Sequence, residues 1–169
     1  HYGLHEISDY WQQVVKLNYW QQDRIAKKVV ENLFGTVNGK RIAIFGFAFK
    51  ADTNDTRESP AIRICNDLLE EGAQLAIYDP KVSYEQIKND LKIEEKFSDQ
   101  DNSKQIQSSQ SCDLAALGSD AILILTEWEE FKHLNWNKLA SVMRKPSWLF
   151  DARRCADSNA ARLAGMKVW

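Results

Sequence analysis

Residues 41–60, RIAIFGFAFKADTNDTRESP, decide the reading of this chain. An apolar strand over 41–47 runs into Gly46, a lone lysine at Lys50, a carboxylate-rich loop and Arg57, and a helix is expected from about Glu58. A strand tip followed by a basic loop and a helix start is where α/β proteins bind anions, because backbone N–H groups and the helix dipole converge there. Lys50 and Arg57 add formal positive charge at the same place, and an arginine can grip a phosphate with two parallel hydrogen bonds.

Working outward, the pattern alternates strand and helix. A helix over 58–71 carries Ile62, Ile64, Cys65, Leu68 and Leu69 on its apolar side and stops at Gly72. Strands are expected at 74–78, 120–125, 147–150 and 166–169, with helices at 83–90, 112–117 and 157–164 and one or two helical segments in 128–143. Residues 92–111 are polar and read as a mobile excursion, with room for short local structure. This alternation predicts a Rossmann-like, doubly wound parallel sheet. Ahead of it, Ile7, Tyr10, Trp11, Val14, Leu17, Ile25, Val29 and Leu33 recur at helical spacing, which predicts one long helix over 6–34. At ~1.5 Å per residue it spans about 43 Å, more than a small domain needs, so it is expected to pack against something beyond this sheet, the alternative being a helix that lies across the domain's own sheet. The division is therefore a connecting helix over 1–36 and a nucleotide-binding domain over 37–169.

The chain has 169 residues, with 44% hydrophobic and 27% charged residues and a formal net charge of −2, a balance that gives no pull toward nucleic acid or an anionic membrane. It contains no apolar run of about 18 residues. Cys65, Cys112 and Cys155 are scattered without CxxC spacing, which suits a reducing, cytoplasmic compartment. His1, His5 and His133 have no partners at metal-ligand spacing. The chain begins at His1 without a methionine and ends at Trp169 inside an expected strand, so both ends are expected to be cuts within a longer protein.

In doubly wound sheets ligands sit beyond the carboxyl ends of the strands. Here those ends are Gly46–Lys50, Asp79-Pro80, Thr126–Trp128 and Asp151–Arg154, which should share one rim. The GxGxxG dinucleotide fingerprint is missing from Gly46-Phe47-Ala48-Phe49-Lys50, so this strand alone does not build an NAD site. Gly46 fits a strand-end turn or a close backbone approach to a ligand equally well. Lys50 is a phosphate or sugar contact, or a solvated lysine. Arg57 is a ligand contact held by Asp52 and Asp55, or a loop ion pair. Arg153 and Arg154 are a ligand clamp or a surface pair, and Trp128 packs the nearby helix or, as the lesser alternative, floors a pocket. No Cys–His or Ser–His constellation stands out.

Taken together, GFAFKADTNDTRESP, the YDPKV at 78–82, the LTEWEEF at 125–131 and the FDARR at 150–154 resemble the UDP-glucose 6-dehydrogenase family, in its carboxy-terminal UDP-binding domain. The resemblance covers most of residues 40–155, and the helix at 6–34 resembles the end of that family's central helix. It implies oxidation of the C6 alcohol of UDP-glucose to a carboxylate with two NAD. The family's catalytic cysteine motif is not in this sequence, so the chain alone is expected to be inactive. By motif, Phe49, Lys50 and Arg153 are expected to contact the UDP-sugar, and Arg57 the NAD held mainly by an amino-terminal domain. A homo-oligomer formed through the long helix is expected, with no nucleic-acid or membrane partner. Two departures stand out: Ala51, where a second basic residue is common, and Ala152, where many relatives have glycine. Dehydrogenases of UDP-N-acetylmannosamine and GDP-mannose share part of the pattern and are the alternative, as is a non-catalytic nucleotide-binding or assembly module.

Overall fold

The computed structural model describes residues 5–93 and 105–169. Six parallel strands form one sheet in the order β3-β2-β1-β4-β5-β6, where β1 is Arg41–Phe45, β2 Gln74–Tyr78, β3 Ile106–Ser108, β4 Ala121–Ile124, β5 Trp148–Asp151 and β6 Lys167–Val168. The order reverses between β1 and β4, as it does in doubly wound dinucleotide folds. The central strands read as unbroken apolar runs because helices cover both faces, and all four residues of β4 are buried.

The helices follow from local chemistry. Helix α2, Pro60–Glu70, starts with Pro60 in its first turn and Ser59 as N-cap, whose Oγ accepts from Ala61 N. Its buried residues Ala61, Ile64, Cys65, Leu68 and Leu69 follow the helical repeat. The sequence places the start at Glu58, but Glu58 sits in the left-handed region with φ 59° and cannot continue a helix. Helices α3 (Tyr84–Asp90), α4 (Cys112–Ala116), α5 (Trp136–Val142) and α6 (Ser158–Leu163) match the expected segments, and a 3₁₀ turn occupies Glu129–His133.

Two further differences from the sequence reading have physical causes. Strand β3 lies inside the stretch taken as an excursion; Ile106 alone is apolar, and the strand is recruited by pairing with β2. Residues 94–104 of that stretch lie outside the described residues. Helix α1, His5–Asn32, is continuous, but its apolar stripe divides. Ile25, Ala26 and Val29, with Leu33 just beyond the helix, are buried in the domain core, where α1 packs against α2. Upstream, Tyr10, Trp11, Leu17 and Trp20 stand exposed, Trp11 at 61%.

Gly46 ends β1 two residues before the sequence pattern does. It has φ 87°, and a Cβ on it would lie 2.4 Å from the Thr126 Cβ. A turn packed on Thr126 therefore accounts for this glycine. Gly46→Ala combines left-handed backbone strain with a clash against a fully buried neighbour. It is expected to destabilise the domain by about 3 kcal/mol or more, read as a lower urea midpoint at unchanged slope.

Candidate nucleotide-sugar site

All four strand ends named from the sequence lie along the carboxyl rim of the sheet, and one side chain ties three of them together. Asp79, just past β2, accepts at Oδ2 from Phe47 N (2.7 Å), Ala48 N (3.0 Å) and Trp128 Nε1 (3.2 Å). Its Oδ1 accepts from Lys81 N (2.9 Å) and Val82 N (3.0 Å), which makes the turn the Asp-Pro pair predicts. Further polar groups at the β1 tip are also taken. Gly46 N donates to Tyr78 O, Phe49 N donates to Asp55 O, and the Phe47 and Ala48 carbonyls accept from Ser59 Oγ and Thr126 Oγ1. The anion cradle expected at this tip from the sequence is thus filled by the protein's own carboxylate, and the N–H groups of residues 46–49 are all spent.

The ligand space lies instead beside the tip. A cleft of about 460 Å³ opens between α1 and the rim, within the size range of small-molecule sites. Phe49, half exposed, forms one wall, and Arg153 lies against it. Tyr19, Gln22 and Ile25 of α1 line the opposite side, with Pro60 and Leu125. The lining combines apolar and aromatic side chains with several amides, the Arg153 guanidinium and the Glu58 carboxylate, a mixture that suits a planar base and its sugar, with Arg153 the one cation for a phosphate.

Arg153 is positioned by backbone oxygens. Its Nε donates to Leu125 O at 2.7 Å and its Nη2 to Phe49 O at 3.4 Å, and Nε is paired with Glu127 at 3.4 Å. It therefore ties the exits of β1, β4 and β5 while lining the cleft. Ala152 does not have a positive φ, and its N–H donates to Ile124 O at 3.2 Å, so the methyl in place of glycine leaves the loop undistorted. Ala51 packs partly buried against the core.

Lys50 is exposed and, with Arg57, stands outside the lining of this cleft, on the loop leading to α2. Arg57 is 87% exposed and is gripped by Asp55, Nε to Oδ1 at 2.9 Å and Nη2 to Oδ2 at 2.7 Å. That bidentate pair fixes the guanidinium plane and leaves its Nη1 side turned away from Asp55. The hydrogen bonds from Arg57 hold the Asp55 carboxyl down at about 2. Asp52, which the sequence also offered as a holder, contributes its backbone carbonyl to Lys81 Nζ at 3.1 Å.

Trp128 packs as expected, 5% exposed, with its indole N–H on Asp79. Burial pushes all three thiols up, Cys155 to about 11, so none is a thiolate at neutral pH. Among the described residues, which exclude His1, no group of three or more His, Cys, Asp or Glu is placed to hold a metal. Sequence reasoning missed Asp79 as the anchor and Tyr19 and Gln22 as cleft wall; the acid directly after an apolar strand was the available signal for Asp79.

A parallel sheet in this order, with a cleft lined by Phe49, Tyr19 and Arg153 beside its switch point, defines a Rossmann-like domain. Residues 43–158 match the UDP-binding domain of the UDP-glucose/GDP-mannose dehydrogenase family, and the chain belongs to that family. It is 45% identical over 167 residues to UDP-glucose 6-dehydrogenase of Caenorhabditis elegans, covering 99% of this chain and 34% of that protein. Against UDP-glucose 6-dehydrogenase 2 of Oryza sativa subsp. japonica the identity is 40% over 178 residues, 99% of this chain and 37% of the relative. The chain thus spans about a third of the length of these relatives and corresponds to their carboxy-terminal part. Among solved structures, a UDP-glucose dehydrogenase from Pyrobaculum islandicum superposes with a TM-score of 0.68 at 22% identity, over 93% of this chain and 30% of that one, a likeness of fold.

The Asp55–Arg57 pair carries a titration signature. The folded carboxyl titrates near 2, below its ordinary ~3.9, so any stabilisation from the pair is present above pH ~4 and is lost as pH falls toward 2. Carboxyl-detected NMR on the folded chain is expected to place the Asp55 midpoint near 2, and Arg57→Ala to raise it part of the way toward the ordinary range, since the Arg57 N–H still donates to Asp55 Oδ1 at 3.0 Å. An unchanged midpoint in that variant would show that the pair does not persist in solution.

Proposed function

We propose that this chain is the nucleotide-sugar half of a UDP-glucose 6-dehydrogenase. Its cleft between α1, Phe49 and Arg153 takes the UDP moiety, and Lys50 meets the diphosphate or sugar from the adjoining loop. In the whole enzyme the C6 alcohol is oxidised to a carboxylate, and NAD supplies the hydride acceptor when bound. The observation that carries the reading is that Phe49 and Arg153, 104 residues apart in sequence, meet at one cleft on the rim of a UDP-binding-domain fold.

NAD fits this chain only as an edge contact. The strand-tip N–H groups that hold a pyrophosphate in a dinucleotide fold are bonded to Asp79. What remains for NAD is Arg57, whose exposed guanidinium can bind an anionic oxygen from the side. NAD is therefore held mainly by a domain outside this chain.

Helix α1 supports a second element of the reading. Its exposed Tyr10, Trp11 and Trp20 form an aromatic surface on a helix whose core contacts begin at Ile25 and whose polar ties to the domain begin at Tyr19, where Arg63 lies over the Tyr19 ring and pairs with Asp23. We take it as the surface that joins this domain to a second copy.

Calorimetry with UDP-glucose, UDP and GDP tests the site. UDP is expected to bind more tightly than GDP, and Arg153→Ala to weaken UDP-glucose roughly 10- to 100-fold, the loss typical of a hydrogen bond to a charged group. Tighter GDP than UDP binding contradicts the base assignment, and unchanged affinity removes Arg153 from the site. Light scattering tests the helix. The chain is expected to run as a dimer, and a form lacking residues 1–20, which keeps Ile25, Val29 and Leu33, as a folded monomer. Equal masses contradict the association role.

A further inference from the structure

The loop between β1 and α2 carries both exposed cations assigned to ligand, yet its own backbone is poorly suited to holding them still. Asp52 and Glu58 are non-glycine residues in the left-handed region, with φ 66° and φ 59°. Main-chain bonds within the loop run from Phe49 N to Asp55 O and from Ser59 N to Thr56 O, both 2.9 Å, and Asp55 N and Arg57 N donate to the Thr53 hydroxyl and the Asp55 carboxylate. Its tip is held from outside by the segment that follows β2. Lys81 Nζ donates to Asp52 O at 3.1 Å. The Gln86 amide nitrogen donates to Asn54 O at 3.1 Å and to Thr56 Oγ1 at 2.9 Å.

The Gln86 contacts are specific in place and in chemistry. Asn54 and Thr56 flank Asp55, the residue that grips Arg57 with both carboxylate oxygens. Thr56 is buried, so its hydroxyl is not readily satisfied by water. An amide NH₂ has two donors and no charge, which lets one side chain bridge two acceptors. Gln86 is fixed in turn. Its backbone N–H is capped by Ser83 Oγ, and the next residue, Ile87, is fully buried in the core. A rigid path therefore runs from α3 through Gln86 to Asn54 and Thr56, then Asp55, then Arg57.

We propose that Gln86 is a positioning residue that aims Arg57 at the anionic group of the second nucleotide. It sets the guanidinium's direction without touching the ligand. Lys81 and Asp79 hold the Lys50 side of the same loop independently, so the two nucleotide sites separate in their dependence on α3. This inference rests on the reading of Arg57 as an NAD contact.

The test uses the full-length enzyme for binding and this chain for loop motion. NAD and UDP-glucose affinities are measured by calorimetry for Arg57→Ala, Gln86→Leu, Thr56→Val and the Arg57→Ala/Gln86→Leu pair. Arg57→Ala is expected to weaken NAD about tenfold and Gln86→Leu about fivefold, with Thr56→Val matching Gln86→Leu because it removes the acceptor from the other side. In the Arg57→Ala background Gln86→Leu is expected to add less than about twofold, since both act through one group. UDP-glucose affinity should stay within about twofold for Gln86→Leu. Hydrogen exchange at residues 53–57 of this chain should speed up about tenfold in Gln86→Leu, with β1 and α2 unchanged. If Arg57→Ala weakens NAD while Gln86→Leu and Thr56→Val leave it unchanged, or if the double variant is fully additive, the positioning role is overturned and the cofactor reading survives. If Arg57→Ala itself is silent, the cofactor reading fails and the positioning role with it.

Discussion

The carboxylate of Asp79 is the interaction on which the rim depends. Five donors converge on it from three separate parts of the chain: the β1 tip, its own turn and the indole of Trp128 beyond β4. Hydrogen bonds to a charged acceptor are stronger than neutral ones, and here they are shared among elements far apart in sequence. Once Phe47 and Ala48 are fixed this way, Gly46 must turn against Thr126, and the chain leaves toward Phe49 and Lys50 in one direction. The loop that presents the cations is thus aimed before any ligand arrives.

The same carboxylate explains how a sheet with the strand order of a dinucleotide fold serves another purpose. In dinucleotide folds the β1 tip offers free N–H groups to a pyrophosphate, and an acid after β2 faces the ribose. Here the acid after β2 turns inward and consumes those N–H groups. The ligand space moves sideways to the cleft under α1, where Phe49 and Arg153 meet and the helix supplies the opposing wall. On the reading proposed above, a second nucleotide held by another domain meets this edge at the exposed guanidinium of Arg57. The exposed first half of α1 belongs to the same logic: a helix fixed to the domain by Ile25, Val29 and Leu33 extends its apolar stripe well past the surface that anchors it.

Much of the fold was legible because parallel strands covered on both faces are unbroken apolar runs and the helices between them carry caps and stops. The strand that escaped reading, β3, has one apolar residue and owes its conformation to its neighbour. The apolar stripe of α1 was legible, but its division into a buried and an exposed part was not, since a stripe does not say what stands opposite. Lys50, Arg57 and Arg153 came into view as cations at strand exits and Phe49 through family resemblance, and the meeting of Phe49 with Arg153 depends on sheet order that no local pattern encodes. Asp79 was readable as a turn from Asp-Pro, while its bonds to residues more than thirty positions away were not. Gln86 gave no signal, because a polar residue on a short helix is ordinary until the loop opposite it is known.

The central claim is that the nucleotide sugar binds beside the filled strand tip and leaves it intact. Amide chemical-shift mapping of this chain titrated with UDP-glucose tests it most directly. The largest changes should fall on Gln22, Phe49, Leu125 and Arg153, with the Phe47 and Ala48 amides still showing the shifts of a carboxylate-bonded pair. Largest changes at Phe47, Ala48 and Asp79, as the ligand displaced the carboxylate and occupied the tip, would contradict the account.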